Sequence, residues 1–323
     1  MVHVIATDET AGWKSEALAA LGGGACVAIP TETVYGLAGD ATNGIAVARI
    51  FEMKGRPRFN PLICHVCDTA MAARLGEMNA TATRLAEVFW PGPLTLVVPL
   101  RSGSGISELV TAGLPTIGLR CPGGPSGSLI ADFGRPLAAP SANRSGRISP
   151  TTAAHVAQEF AGTDLVILDA GPCEVGIEST ILKVEHDRLV LLRPGAITAR
   201  EIEAATGMAV EQPAGDAIEA PGMMASHYAP DAAVILNASH CPPGAGLLAF
   251  GDGKGRSRGG AAIMRNLSAG GDLREAAANL YRMLKEIDAA RPALIAVEPI
   301  PGAGLGAAIN DRLNRAAAPR EPA

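Results

Sequence analysis

Hydroxyl and carboxylate side chains follow an apolar run near the start of the chain. Residues 26–30 are mostly apolar and predict a strand, and residues 30–37 continue as Pro-Thr-Glu-Thr-Val-Tyr-Gly-Leu. The ends of strands are where α/β sheets commonly place their ligands. The segment therefore indicates a ligand site, with an ordinary polar turn between a strand and a helix as the alternative.

Three cations crowd into residues 54–65, which read Lys-Gly-Arg-Pro-Arg-Phe-Asn-Pro-Leu-Ile-Cys-His. Lys54, Arg56 and Arg58 repel one another, while glycine and the prolines constrain the loop that carries them. An anion with several oxygens would relieve that repulsion, and guanidinium groups suit phosphates well. The segment favours phosphate binding over a solvated basic turn.

The cysteines that flank His65 do not predict a metal site. Side chains alternate along a strand, so Cys64 and Cys67 of a strand at 62–67 fall on opposite faces. A structural zinc site would also need a second ligand pair, and no such pair stands at suitable spacing in the sequence. From the residues alone, both cysteines and His65 are predicted to be packing residues.

Small hydroxyl residues and glycine recur in residues 140–150, which read Pro-Ser-Ala-Asn-Arg-Ser-Gly-Arg-Ile-Ser-Pro. Ser149 and Pro150 precede a helical pattern over 153–160, and a serine N-cap followed by proline is a typical helix start. The partial positive charge of a helix N-terminus binds phosphate. This segment is therefore a candidate phosphate site, although the chain has no Walker motif, and ordinary helix capping is the alternative.

Two arginines, Arg120 and Arg193, each close an apolar run, and a Ser-Thr pair at 179–180 begins another. A lone arginine at a strand end usually forms a surface ion pair. Two of them, with a Ser-Thr strand between, outline a polar cavity for an anionic substrate. The glycine-rich pieces at 251–255 and 302–306 lack the full dinucleotide-binding spacing, and turns are predicted there.

The apolar pattern predicts two α/β parts joined by a Pro- and Gly-rich linker around 211–225. In the first part, the irregular alternation of strands and helices predicts a mixed sheet. Its predicted strands are 26–30, 62–66, 94–99, 116–119, 165–168, 179–184 and 189–192, and its predicted helices include 44–52, 80–89 and 153–160. The second part has predicted strands at 233–236, 246–250, 261–264 and 294–297, and two helices that begin near 273 and 306. This second pattern predicts a small parallel α/β domain.

Composition narrows the class of protein. The 323 residues are 48% apolar, only 3% aromatic, and carry a formal net charge of −5. A chain like this can bury two substantial cores, which excludes general disorder. Proteins that hold nucleic acid non-specifically usually have basic surfaces and aromatic platforms, and this chain shows neither. Six scattered cysteines, no signal-peptide pattern and no run of eighteen apolar residues predict a cytoplasmic protein without a membrane segment.

Seven motifs stand in a fixed order between residues 30 and 195. They are Pro-Thr-Glu-Thr-Val-Tyr-Gly-Leu, Lys-Gly-Arg-Pro-x-x-Asn-Pro-Leu-Ile-x-His, Trp-Pro-Gly-Pro-Leu-Thr, Gly-Leu-Arg-x-Pro, Ser-Ala-Asn-x-Ser-Gly, Glu-Ser-Thr-Ile and Leu-Arg-Pro-Gly. Together they resemble the threonylcarbamoyl-AMP synthase family, also called YrdC-like proteins. The segment 220–230, which ends in His-Tyr-Ala-Pro, resembles the linker of the long, two-domain form.

The resemblance implies a fold and a reaction. The fold would be a YrdC-like mixed twisted sheet with helices at 1–210, a linker and active-site lid at 211–230, and a small parallel, Rossmann-like α/β domain at 231–318. The enzyme would be a nucleotidyltransferase that joins L-threonine, bicarbonate or CO₂, and ATP into L-threonylcarbamoyl-AMP and pyrophosphate. Mg²⁺ would accompany ATP, and no covalent nucleophile or protein-bound metal is expected. The product would pass to the tRNA threonylcarbamoyl-transferase machinery for position 37 of tRNAs reading ANN codons, and direct binding of tRNA stays open.

The resemblance also assigns ligands, and it reverses the packing role given above to His65. Threonine would be held by Thr33, His65, Arg120, the backbone near Ala139, and Ser179. ATP would be held by Lys54, Arg56, Asn60, Thr116, Ser141, Ser149 and Arg193, with His227 and Tyr228 closing over it.

Two other functions remain as alternatives. The cationic loop and the predicted helix N-terminus could grip the backbone of RNA, in which case affinity should fall steeply with salt. The same fold could instead transfer a carbamoyl group from carbamoyl phosphate, although such domains usually sit in much larger chains.

Overall fold

The chain folds around two β-sheets, one mixed and one parallel. The computed structural model describes residues 1–7, 12–215, 218–224, 226–254, 256 and 258–319. Residues 216, 217 and 225 of the predicted linker, and residue 255 of the first glycine-rich piece, lie outside this described part.

The mixed sheet contains eleven strands within the described residues. They are β1 (His3–Ala6), β2 (Val27–Ile29), β3 (Gly36–Asp40), β4 (Ile63–His65), β5 (Leu94–Pro99), β6 (Thr116–Arg120), β7 (Leu137–Ala138), β8 (Val166–Asp169), β9 (Thr180–Val184), β10 (Leu189–Arg193) and β11 (Val210–Glu211). Their order in the sheet is β1-β8-β2-β3-β7-β4-β6-β5-β9-β10-β11. Parallel pairs such as β4 with β6 alternate with antiparallel pairs such as β5 with β6. The prediction of a mixed sheet is confirmed.

Helices surround this sheet, and their ends follow ordinary capping chemistry. They are α1 (Trp13–Gly22), α2 (Gly44–Lys54), α3 (Thr69–Leu75), α4 (Ala80–Phe89), α5 (Glu108–Thr111), α6 (Gly124–Phe133), α7 (Ala153–Glu159) and α8 (Ala199–Thr206). The Asn43 side chain caps α2 by accepting from the amides of Ile45 and Ala46, and Gly55 ends it in the left-handed conformation. Such caps satisfy backbone groups that have no partner inside the helix. The end of α2 thus places Lys54 and Arg56 at the start of the cationic loop.

The second sheet is small and parallel, as predicted. Its strands are β12 (Ala233–Ile235), β13 (Gly246–Ala249), β14 (Ile263–Asn266) and β15 (Leu294–Val297), in the order β12-β15-β13-β14. The helices α9 (Leu273–Ala289) and α10 (Leu305–Ala317) pack on it with their apolar faces. The prediction put β14 about two residues too early.

The two parts share an apolar core. Val34, Ile148 and Ile177 of the first part belong to one buried cluster with Leu280 and Tyr281 of α9, among others. The strand β11 also ends at Glu211, one residue beyond the predicted boundary of the first domain. The predicted domain limits stay a prediction, but the two parts are in direct contact.

One predicted helix cap is wrong, although the helix itself begins where the pattern predicted it. The helix α7 begins at Ala153, and its N-cap is Thr152, whose hydroxyl accepts from the amide of His155. Ser149 therefore does not cap α7, and Pro150 is not the first residue of that helix. The hydroxyl of Ser149 instead donates to a carboxylate described below.

The helices and the ionisable side chains of the described residues bear on membranes and metals. No helix there is both long and apolar enough to cross a membrane. No group of three or more His, Cys, Asp or Glu side chains is arranged there to hold a metal ion.

Candidate active site

The segments singled out in the sequence converge on one cavity of about 50 Å³. It lies where the β2–β3 turn, the cationic loop, the ends of β6 and β10, and the linker meet. Of the predicted site residues, those that line it are Thr33, Arg56, His65, Arg120, Ala139, Ser141, Ser179, Arg193, His227 and Tyr228. The cavity is far smaller than the roughly 300–1,000 Å³ of a typical ligand pocket, so a molecule the size of a nucleotide does not fit in it in this conformation.

Arg120 lies at one wall of the cavity, with its guanidinium held on three sides. Its Nη2 pairs with Glu32 Oε1 at 2.6 Å, its Nη1 donates to Thr33 Oγ1 at 2.9 Å, and its Nε donates to Gly92 O at 3.3 Å. A guanidinium carries five N–H groups. Among the described contacts, one N–H on each Nη is therefore left to bind another acceptor, such as a carboxylate.

Three further buried cations have only neutral partners. Lys54 Nζ donates to the carbonyls of Ser141 and Asn143. Arg56 donates to the carbonyls of Asn60 and Pro61, at 3.2 and 2.8 Å. Lys54, Arg56 and Arg193 are 2%, 7% and 3% exposed, and none forms an ion pair with a carboxylate in the described part of the chain.

Burial dominates the ionisation of these cations. It lowers the pKa of Lys54 well below the ordinary value, and the nearby charge of Arg56 lowers it further. Burial also lowers the pKa of Arg56 to about 10, and that of Arg193 below its ordinary value. Because a buried charge is stabilised by a partner of opposite sign, this arrangement is suited to an anion.

Ser179 links Arg193 to the core of the sheet. Its Oγ lies 2.8 Å from Thr95 Oγ1 and accepts from Arg193 Nη2 at 3.2 Å, while its carbonyl accepts from Arg193 Nε at 3.1 Å. Gly195 allows this approach, because a Cβ there would lie 2.3 Å from the backbone nitrogen of Thr180. The Leu-Arg-Pro-Gly and Glu-Ser-Thr-Ile motifs thus form one unit.

Four predicted site residues do not line the cavity. Lys54 lies behind its wall, where it holds the loop that contains Ser141. Asn60 is buried and donates from Nδ2 to Met224 Sδ of the linker at 3.5 Å, while its Oδ1 has no partner among the described residues. Thr116 lines a separate small cleft that borders the cavity through Ile63 and Pro221. Ser149 is turned toward Glu178.

Glu178 also lines the cavity, although no pattern in the sequence predicted a role for it. It accepts from Ser149 Oγ at 2.5 Å, from Tyr281 OH at 2.7 Å and from Arg312 Nε at 2.8 Å. Burial would raise the pKa of this carboxyl, but the charges of Arg312 and Arg193 and the hydrogen bonds outweigh burial and lower it to about 2. The sequence offered one indication of this residue, a carboxylate directly before the Ser-Thr pair. Its partner Arg312 lies 134 residues further along the chain, so no local pattern could show the contact.

The linker covers the cavity with two aromatic side chains. Tyr228 has a φ of 61°, a left-handed conformation that is costly for a bulky residue. Its ring packs 5.6 Å from the Tyr281 ring and 5.4 Å from the Arg312 guanidinium. These contacts with α9 and α10 offset the backbone strain and hold the linker over the site.

Two histidines at the cavity are neutral at physiological pH. Burial lowers the pKa of His65 to about 3, helped by the charge of Arg120. Burial likewise lowers the pKa of His227 to about 3. The Nδ1 atoms of both are buried without a partner among the described residues, so each is a polar contact for a substrate rather than a charge.

Comparison with known proteins agrees with these motifs. A family model described as "Telomere recombination" matches residues 19–195, and one described as "Threonylcarbamoyl-AMP synthase, C-terminal domain" matches residues 197–318. The threonylcarbamoyl-AMP synthase of Bacillus subtilis (strain 168) is 40% identical over 311 residues, covering 91% of this chain and 90% of the relative. That of Pyrococcus abyssi (strain GE5 / Orsay) is 38% identical over 315 residues, with 91% and 90% covered. The chain belongs to the threonylcarbamoyl-AMP synthase family.

The fold agrees with a solved structure of the same family. The crystal structure of P. abyssi Sua5 complexed with L-threonine superposes with a TM-score of 0.87 at 34% identity, covering 98% of this chain and 97% of that one. The resemblance inferred from the seven motifs is therefore confirmed, as are a mixed sheet and a second, parallel one.

Proposed function

We propose that this protein synthesises L-threonylcarbamoyl-AMP and pyrophosphate from L-threonine, bicarbonate or CO₂, and ATP. It would thus be a nucleotidyltransferase that supplies threonylcarbamoyladenosine formation at position 37 of tRNAs reading ANN codons. Membership of the family supports the reaction, and the threonine complex of the P. abyssi relative supports the amino acid. The downstream transferase machinery and a cytoplasmic location remain predictions.

The observation that carries this proposal is the set of buried cations without carboxylate partners. Arg56 and Arg193 line the cavity and Lys54 lies behind its wall, and within the described residues all three donate only to carbonyls and a hydroxyl. A triphosphate would supply the missing negative charge, and guanidinium groups match phosphate oxygens in geometry. Arg120, Thr33 and neutral His65 also line the cavity, and together they are suited to a small zwitterion.

In the proposed reaction, the threonine amine bonds to the carbon of CO₂ and loses a proton, giving a carbamate. A carbamate oxygen then bonds to the α-phosphorus of ATP, while the bond from that phosphorus to the bridging oxygen breaks and pyrophosphate leaves. The protein's task is positioning and charge neutralisation. The two remaining N–H groups of Arg120 would hold the threonine carboxylate, with Thr33, Ser179 and the backbone at Ala139 beside it. Arg56 and Arg193 would contact phosphates.

Mg²⁺ enters this proposal with ATP. This ion keeps several waters and binds through phosphates and one or two carboxylates. Of the carboxylates near the cavity, Glu178 already accepts three hydrogen bonds, whereas Glu32 pairs with Arg120 through Oε1 and its Oε2 has no partner among the described residues. The phosphates would hold the ion, Glu32 would be the carboxylate able to assist them, and the charge of the ion would help neutralise the leaving pyrophosphate.

The test measures pyrophosphate release by the purified chain with Mg-ATP, omitting threonine and bicarbonate in turn. Release that requires both, with a product of the mass of threonylcarbamoyl-AMP, supports the proposal. Release without threonine, or none at all, contradicts it. Strong, salt-dependent RNA binding that ATP and threonine do not displace would favour the RNA-binding alternative.

A further inference from the structure

A single helix of the second domain reaches the site at several points. Arg312, on α10, is 1% exposed and donates from Nε to Glu178 Oε2 at 2.8 Å. Its Nη2 donates to the carbonyl of Pro194 at 2.9 Å. One guanidinium therefore contacts both Glu178, which directly precedes Ser179, and Pro194, which directly follows Arg193.

The same helix also holds the linker. Arg315 Nη1 donates to Met224 O at 2.5 Å, and its carbonyl accepts from the amide of His227 at 3.2 Å. Asp311 directly precedes Arg312 in the chain and pairs with both arginines, at 2.6 Å to Arg312 and 3.1 Å to Arg315. The carboxylate of Asp311 thus fixes both guanidiniums in the positions from which they reach the first domain.

The carboxylate of Glu178 is the shared acceptor of this arrangement. Oε1 accepts from Ser149, and Oε2 accepts from Arg312 and from Tyr281 OH at 2.7 Å. Ser149 and Arg193 are predicted ATP contacts, and Ser179 is a predicted threonine contact. Every one of them is therefore bonded to Glu178, adjacent to it, or held beside Pro194.

We propose that Arg312 is a positioning residue for the reaction, acting through Glu178 and Pro194 to set Ser149, Ser179 and Arg193, so that the second domain forms part of the active centre. This rests on the proposed function for its substrates. Without Arg312, a buried carboxylate loses its principal countercharge, which is costly. The Glu178 carboxylate must then shift or bind a proton, and either change disturbs its contacts with the residues predicted to bind both substrates.

The test uses the full chain and three substitutions. Arg312→Met removes the charge and keeps an unbranched apolar stem, while Tyr281→Phe removes one hydrogen bond to Glu178 with little change of volume. Glu298→Gln is the matched control. Glu298 is another buried carboxylate of the second domain, paired with Arg256 at 3.1 Å and Arg258 at 2.8 Å, and within the described residues it makes no hydrogen bond or ion pair to a residue that lines the cavity.

Kinetics separate positioning from a loss of folded protein. For Arg312→Met we expect kcat/KM to fall roughly 100-fold, with higher KM values for both threonine and ATP, and for Tyr281→Phe a fall of roughly tenfold. Destabilisation alone would lower the active fraction and hence the apparent kcat, leaving both KM values unchanged. That pattern, or an equal effect of Glu298→Gln, would overturn the proposal.

Amide hydrogen exchange decides the question independently of activity. We expect the amides of residues 178–180, 193 and 195 to exchange at least about tenfold faster in Arg312→Met and to be unchanged in Glu298→Gln. Unchanged exchange in Arg312→Met and in Tyr281→Phe would refute the positioning role. If the wild type released no pyrophosphate, the proposed function would fail, yet this exchange comparison would still support or refute the link between α10 and these segments.

Discussion

Replacing Gly176 by alanine should push the two domains apart. Gly176 has a φ of +74°, and a Cβ there would lie 2.5 Å from Ala278 Cα and 2.6 Å from Ala277 O. Both contacts are with backbone atoms of α9, so no flexible side chain can move away. The extra methyl group therefore requires α9, or the loop before β9, to shift.

The expected loss has two parts. Alanine in the left-handed region costs roughly 1–2 kcal/mol, and overpacking against a fixed neighbour costs about 1–3 kcal/mol more. Gly207→Ala is the matched control, because Gly207 has a φ of +72° and no described atom lies within 4 Å of its Cβ position. Only the first part applies there, so the two variants should differ by about 1–3 kcal/mol.

Urea unfolding of both variants and of the wild type measures this difference as a change in the free energy of unfolding. We also expect Gly176→Ala to lower pyrophosphate release, since Glu178 lies two residues away and its partners are on α9 and α10. An equal loss of unfolding free energy in the two variants would refute the close packing at this position.

The remaining predictions concern the cavity itself. Arg120→Ala should raise the threonine KM roughly 10- to 100-fold, because two hydrogen bonds from a charged donor are lost. The ATP affinity measured by titration calorimetry should stay near the wild-type value. An unchanged threonine KM would exclude the carboxylate contact. Arg56→Met should weaken ATP binding by a similar factor in the same titration, and wild-type affinity would remove the cationic loop from the site. Lowering the pH from 7 to 5 should reduce the free energy of unfolding, because His65 and His227 have a pKa of about 3 in the folded protein and bind protons near pH 6.5 once unfolded. The unfolded chain binds more protons than the folded chain in this window, so stability falls as the pH falls. The loss in unfolding free energy should be about 1–2 kcal/mol per histidine. A His65→Asn variant with the same pH slope in urea unfolding would contradict this.

Local patterns predicted most strands near the site, but not β1, β3, β7 or β11. The runs that became β5, β9 and β10 are rich in Leu, Ile and Val, which suit a pleated, buried surface. By contrast, β3 reads Gly-Leu-Ala-Gly-Asp, a composition that disfavours strands, yet all five residues are buried between β2 and β7. Tertiary contacts decided that strand, and no local pattern could show them.

The site was predictable where its residues end strands, and less so where they face another domain. Arg120 and Arg193, which the sequence puts at strand ends, both line the same cavity, while their roles toward a substrate stay predictions. The N-cap of α7 was not, because Ser149, Thr151 and Thr152 all offer hydroxyls within four residues. The choice among them depends on the carboxylate of Glu178, which takes the hydroxyl of Ser149.

The ion pair between Glu178 and Arg312 serves to orient the two domains more than to raise the free energy of unfolding. Buried ion pairs contribute little net stability compared with apolar pairs of the same volume, and the apolar cluster around Ile177 and Tyr281 already holds the two domains together. Apolar contacts tolerate small shifts, whereas a carboxylate that must satisfy Ser149, Tyr281 and Arg312 fixes both distance and orientation. The ion pair therefore sets the register of the second domain on the first, and that register determines where the linker lies over the cavity.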